Sequence, residues 1–225
     1  MIEPPKAEPP KRKRRWFQFS LRALLIFTLI CSATFGWLGR KIEQKSKERE
    51  AVEAIRKSGG YVLYDFVDQK PRGPYLLRAF LGECFFNNVE EVHLLGNGDG
   101  DALLENLRAM PKVKNLVIAA NITDDGLANL DDSTQLQVLS VSVHSVGDAG
   151  VKHLRGLTQL QRLDLACTQV SDSGLASLKE LTKLQDLSLS FTEVTNAGVA
   201  DLQKALPNCR IEHFQFDARE SLVRP

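Results

Sequence analysis

Between residues 89 and 207 the chain returns to one pattern about every 24 residues, and self-similarity at that period leaves one general solution: similar coils stacked on one another. Four units align well: 113–135 (VKNLVIAANITDDGLANLDDSTQ), 136–159 (LQVLSVSVHSVGDAGVKHLRGLTQ), 160–183 (LQRLDLACTQVSDSGLASLKELTK) and 184–207 (LQDLSLSFTEVTNAGVADLQKALP). A degenerate unit, 89–112, precedes them, and Asn208 begins a partial sixth. The shared template is L-x-x-L-x-L-x-x-[TN]-x-V-[ST]-D-x-G-L-x-x-L-x-x-L.

Each template position has a physical reason. Leu160, Leu163 and Leu165 illustrate leucines spaced for a short strand, whereas Leu175, Leu178 and Leu181 follow helical spacing. One coil therefore makes strand, turn and helix, and neither apolar face is buried until coils stack. Asn121, His144, Thr168 and Thr192 occupy the turn after the strand, where a side chain is expected to satisfy backbone groups of a neighbouring turn. Asp101, Asp124, Asp148 and Asp172 recur at one position. They could form a carboxylate ladder for calcium, but the plainer expectation is helix capping, worth about 1 kcal/mol apiece. Three departures stand out. The second unit lacks one residue after Asn121, Gly98-Asp99-Gly100 replaces an apolar position in the first, and Asn196 replaces the recurring aspartate.

This pattern resembles the leucine-rich-repeat family, and the T-D-x-G-L segment is similar to the subclass that carries it between strand and helix. The whole chain resembles bacterial membrane-anchored leucine-rich-repeat proteins: a basic tail, Phe19-Ser20-Leu21-Arg22 opening an anchor, a Gly-Gly-Tyr cap, then repeats. The expected fold class is α/β: a leucine-rich-repeat solenoid with a short parallel-strand inner face and a helical outer face. An N-terminal cap and one transmembrane helix are expected before it. Residues 59–88 form the expected cap, with a strand at 61–66, a turn at 71–74 and a helix at 75–86 that brings Leu76, Leu77, Phe80 and Leu81 to the core. The repeats run over 89–213, residues 206–211 close the solenoid, and 214–225 is a C-terminal tail.

The segment ahead of the cap points to a membrane. Residues 1–19 hold four prolines and the run Lys11-Arg12-Lys13-Arg14-Arg15, a disordered, basic, cytoplasmic tail by composition. Residues 23–39 carry no charge, and extending back to Ser20 gives about 30 Å of helix, a transmembrane anchor at 20–39. Arg22 can snorkel, and Trp16 and Trp37 sit at interfacial positions. Three export signals compete. A cleavage site at Cys31-Ser32-Ala33 is disfavoured because the apolar segment continues through Phe35, Trp37 and Leu38. A lipoprotein signal at Cys31 meets bulky Ile30, and Arg14-Arg15 arises by default within five basic residues. Residues 40–58 read as a helical stalk, with Glu43 and Lys47 paired at i,i+4 and Gly59-Gly60 as its stop. Because the dense cationic cluster lies on the short N-terminal side, the expected localisation is a single-pass protein of the bacterial cytoplasmic membrane. Its N-terminus is inside and its repeats are extracytoplasmic.

Nothing in the sequence assembles a catalytic constellation. Cys31, Cys84, Cys167 and Cys209 have no zinc-ligand spacing; Cys31 lies inside the apolar run, and the other three are expected to be buried or semi-buried thiols. His93, His144, His153 and His213 lack a nucleophile or H-E-x-x-H arrangement and are expected to be solvated, and Gly96-Asn97-Gly98-Asp99-Gly100 lacks the Gly-Lys-Ser/Thr of a phosphate loop. Residues 89–207 carry nine Lys/Arg against sixteen Asp/Glu, the wrong sign for gripping nucleic acid. No enzyme, cofactor, metal or small-molecule substrate is expected. What remains is the inner strand face, a small, polar column that includes Val138, Ser140, Arg162, Asp164, Asp186 and Ser188 and is flanked by Phe191. Interface hot spots favour aromatics and arginine, so the candidate protein-binding residues are His144, Arg162 and Phe191, with Asp164, Asp186 and Ser188 beside them. The expected function is a membrane-anchored protein-interaction module. An envelope spacer without a specific partner and an accessory subunit of a membrane-bound enzyme complex are the alternatives.

Overall fold

The computed structural model describes residues 21–65, 78, 85 and 87–214, and the chain divides into two compact units, Met1–Ile42 and Glu43–Pro225. One helix, α1 (Leu21–Lys57), begins in the first unit and ends in the second.

In the first unit α1 turns its apolar residues outward: Leu24, Leu25, Ile26, Phe27, Leu29, Ile30, Phe35 and Trp37 are all exposed. The hydroxyls of Thr28, Ser32 and Thr34 donate to the carbonyls three residues back, each at 2.9 Å, so the polar groups of this stretch are satisfied within the helix. Lys41 Nζ lies 5.1 Å from the centre of the Trp37 ring. By length and composition the helix is long and apolar enough to cross a membrane.

In the second unit the last turns of α1 are part of the core. Ala51, Val52 and Ile55 are buried in the cluster that also holds Val62, Val92 and Leu94. The cap thus draws on residues read from sequence as stalk. Val52 and Ile55 recur at helical spacing as that stripe requires. Gly59 then stops the helix at φ +94, with Gly60 N–H on Ile55 O (2.9 Å) and Gly59 N–H on Arg56 O (3.1 Å), the paired bonds of a Schellman ending. A side chain at Gly60 would meet His93 O at 2.5 Å. Ahead of this turn, Lys45 Nζ bonds both Glu48 carboxylate oxygens at 2.8 Å and Asn87 O at 2.6 Å, with little of either charged side chain exposed. Burial raises the Glu48 pKa against the opposing pull of Lys45.

A single seven-stranded sheet follows in chain order: β1 (Tyr61–Tyr64), β2 (Val89–Asp99), β3 (Asn115–Asn121), β4 (Val138–Val141), β5 (Arg162–Asp164), β6 (Asp186–Ser188) and β7 (Arg210–Glu212). β1 pairs antiparallel with β2, and the other neighbours are parallel. The register puts Val92, Leu116, Leu139, Leu163, Leu187 and Ile211 in one row, and all but the partly buried Ile211 are essentially inaccessible. The strand expected at 61–66 ends at Tyr64, and Phe66 lies outside the described residues. So do the expected turn at 71–74, most of the helix at 75–86, Leu76, Leu77, Phe80, Leu81 and Cys84, and the tails 1–19 and 215–225.

Short helices return the chain behind the sheet: α2 (Gly100–Glu105), α3 (Asp148–Lys152), α4 (Asp172–Leu178) and α5 (Asn196–Ala205). The short second coil makes only a 3-10 turn, Gly126–Leu130. Its missing residue shows in the register, where Asn115 pairs with Val138 but Val138 pairs with Arg162.

The recurring aspartates do not cap their own helices. Each reaches forward to the next coil. Asp101 accepts Thr123 N–H (2.9 Å) and O–H (2.7 Å), Asp148 accepts Ser171 N–H (2.8 Å) and O–H (2.6 Å), and Asp172 accepts Thr195 N–H (2.8 Å) and O–H (2.7 Å). Asp124 accepts Gly147 N–H at 2.7 Å. Side-chain caps come from Asp99, Thr123, Ser171 and Thr195, which precede Asp101, Asp124, Asp172 and Asn196 by one or two positions and accept N–H groups of the following turn, whereas the helix at Asp148 follows Gly147 with no side-chain cap. The Thr123, Ser171 and Thr195 hydroxyls each accept from the turn that follows and donate to the aspartate of the preceding coil. The bonds from Thr195 hold the Asp172 carboxyl below its ordinary pKa. The glycine of the motif is the other half of the device. A Cβ at Gly150 or Gly174 would lie 2.5 Å from the Asp124 or Asp148 carboxylate, and one at Gly126 or Gly198 would collide with Asp101 or Asp172. Each of the aspartates therefore faces hydrogen-bond donors of the next coil.

Candidate functional site

With alternate strand residues committed to the core, the others form solvent-facing rows set by the register. One row reads Glu91, Asn115, Val138, Arg162, Asp186, Arg210, and the next His93, Val117, Ser140, Asp164, Ser188, Glu212. Over β4–β7 they line an open trough of about 460 Å³ whose walls include Val138, Ser140, Arg162, Asp164, Asp186, Ser188, Arg210 and Glu212. The strand backbone at Leu163 and Leu187, whose side chains turn to the core, forms its floor.

The trough is internally wired. Arg162 Nε lies 3.3 Å from Asp186 Oδ2, and Arg210 Nη2 lies 2.8 Å from Glu212 Oε1. Asp164 accepts from Ser140 Oγ at 3.3 Å and from Ala166 N–H at 3.0 Å. These exposed ion pairs contribute little stability, at most about 1 kcal/mol each, so they can open to a partner at small cost.

Of the residues singled out from sequence, the structure brings Arg162, Asp164, Asp186 and Ser188 together. His144 is elsewhere: its Nε2 contacts the Gln169 amide at 3.2 Å, beside a hollow lined by Ala119, Asn121, Ser142 and Ser145. Phe191 is 56% exposed in a turn at φ +59 and is not among the residues that line the trough. Sequence reasoning missed Arg210 and Glu212, because that segment read only as closure. The signal was present: Arg210-Ile211-Glu212 repeats Asp186-Leu187-Ser188 at 24 residues and continues its pairing.

Several local expectations change. Thr168 and Thr192 donate to Leu165 O and Leu189 O, both at 2.7 Å, within their own coil and not to a neighbouring turn. His93 is not simply solvated. Its ring stacks on Tyr61 with centroids 4.2 Å apart and its Nε2 pairs with Glu91 Oε1. Cys209 is buried, and desolvation, aided by the Asp186 charge, pushes its thiol pKa up to about 11. Cys167, expected to be buried or semi-buried, is exposed, because it stands at φ +60 in the turn equivalent to that of Phe191. Cys31 is partly exposed.

Comparison with known proteins places the repeats. Residues 156–179 and 180–202 match the family described as Leucine Rich repeat. No curated protein matches the chain. Among solved structures the chain is similar to internalin C2 of Listeria monocytogenes, with 21% identity over 50% of this chain and 49% of that one and a TM-score of 0.39. A leucine-rich-repeat protein of Leptospira interrogans is similar at 22% identity over 48% of this chain and 27% of that one, TM-score 0.38. The leucine-rich-repeat ectodomain of the receptor kinase SOBIR1 of Arabidopsis thaliana is similar at 16% over 75% and 92%, TM-score 0.43. The chain spans about half of the internalin and about a quarter of the Leptospira protein.

Proposed function

We propose that this chain, whose repeats are leucine-rich repeats, is a non-catalytic, membrane-tethered module that presents its strand face to a protein partner. The observation that carries the reading is the in-register strand face. One side of the sheet is fully spent on the core, while the other sets Arg162, Asp164, Asp186, Ser188, Arg210 and Glu212 in one open trough. Arg162, Asp164, Asp186 and Ser188 contact the partner directly, and Phe191 and His144 extend the contact at its margins. The exposed apolar stretch of α1 is the anchor, with the N-terminus cytoplasmic and the repeats outside a bacterial cytoplasmic membrane.

Photo-crosslinking in the native membrane tests the surface. A crosslinking side chain at Ser188 is expected to yield a covalent adduct of one discrete mass, and the same group at exposed Ala176 on α4 none. Adducts from both positions alike, or from neither, sink the reading.

Sidedness has its own reporter. Cys167 is exposed, whereas Cys209 is buried with its pKa raised to about 11, and the thiolate is the form that attacks a maleimide. In a chain with Cys31→Ser and Cys84→Ser, a membrane-impermeant maleimide applied once any outer barrier is opened, with the cytoplasmic membrane intact, is expected to label the protein, and adding Cys167→Ser is expected to remove that labelling. Labelling at Cys167 that requires lysis would put the repeats inside.

A further inference from the structure

We propose that the trough seats a lysine or arginine side chain of the partner on Asp164, between Ser140 and Ser188. This rests on the strand-face reading and adds the partner's chemistry to it. Five charged residues line the trough, and four neutralise one another in two pairs, Arg162 with Asp186 and Arg210 with Glu212. Asp164 is the remainder. Its carboxylate takes only neutral donors, Ser140 Oγ on one oxygen and Ala166 N–H on the other, and among the described residues it has no ion pair.

An ionised carboxylate offers about four acceptor sites, so two donors leave room for a cation. Position favours one as well. Asp164 is half-buried at the middle of its row, flanked in register by Ser140 and Ser188. The floor beneath is the sheet backbone at Leu163 and Leu187, whose side chains turn to the core on the other face, and a charged hydrogen bond at a half-buried position is stronger than one in open water. Val138 borders the same trough and is placed to cover the aliphatic stem that a lysine or arginine carries behind its charge. An acidic ligand, by contrast, must first separate Asp186 from Arg162 or Glu212 from Arg210, and still faces Asp164. The complementary partner is an extended peptide segment with one basic side chain at a fixed position.

Selection of a displayed library of random linear peptides on the full-length chain tests this. The expected enriched peptides share a lysine or arginine. Their affinity is expected to fall at least about tenfold in Asp164→Asn, the loss of one hydrogen bond to a charged group, and to persist in Asp164→Glu. Glu180→Gln removes an equal charge at the turn after α4, where Glu180 pairs with Arg155, and is expected to leave binding unchanged. Ser188→Trp, which fills the trough, is expected to abolish it. Peptides that Ser188→Trp blocks but that share no basic residue, or that ignore Asp164→Asn, overturn the cation seat and leave the strand-face reading standing. Peptides indifferent to Ser188→Trp, or a library that yields no binder, overturn both.

Discussion

Alanine at Gly174 is expected to destabilise the repeats by about 2 kcal/mol, the size of an overpacked core, although glycine-to-alanine within a helix ordinarily stabilises by about 0.5–1 kcal/mol. The inversion has a local cause. The new methyl would sit 2.5 Å from Asp148 Oδ1 and 3.1 Å from Val170 Cγ1, so the carboxylate must leave, and with it go the bonds to Ser171 N–H and O–H. Asp148→Ala removes the obstruction together with those bonds. In urea unfolding of the full chain in detergent, the double variant is therefore expected to lose clearly less than the sum of the two single losses. Additivity within about 0.5 kcal/mol, as for independent sites, would show that the glycine and the neighbouring aspartate are not one device.

Replacing Lys45 by methionine is expected to cost more, about 3 kcal/mol at pH 8, because it leaves the Glu48 carboxylate buried without its cation. Asn87 O loses the same donor. The loss depends on pH, and its sign follows from the pKa. Burial already raises the Glu48 pKa in the folded state, and Lys45 opposes that rise. Without Lys45 the folded value climbs further above the unfolded one, so the folded state holds its proton more tightly and stability falls as pH rises through that window. The difference from the parent is largest above the folded pKa and shrinks as pH falls toward the ordinary carboxylate range, where Glu48 is neutral. Adding Glu48→Gln to Lys45→Met is expected to restore most of the stability at pH 8. A loss independent of pH would place the effect in the lysine stem and not in the charge pair.

Much of this architecture is legible in one dimension because a coil is built from local periods. Leu160, Leu163 and Leu165 announce a strand and Leu175 and Leu178 a helix, and these residues do line the core. Even the residue missing after Asn121 is visible, and it reappears as a 3-10 turn where the other coils make helices. The trough is legible in part. Arg162, Asp164, Asp186 and Ser188 follow from strand alternation, whereas His144, singled out as an aromatic hot-spot candidate, stands in the turn after β4 and lines a separate hollow.

What the sequence alone determined is everything that repeats at short range: strand against helix, buried against solvent-facing, the number of coils, and an apolar stretch long enough for a bilayer. What only the tertiary structure decided is everything made between coils or across the cap. The T-D-x-G motif looks like a helix cap when read along the chain, since aspartate and helix are neighbours there. In space the aspartate's donors and the glycine that makes room for it belong to the next coil, more than 20 residues on. The stalk likewise reads only as a helix, and which core its apolar end joins is seen when Ala51, Val52 and Ile55 are found closing the first coil. Patterns along a chain report which faces are apolar, but which donor meets which acceptor is settled by stacking, and stacking brings together residues that no local period connects.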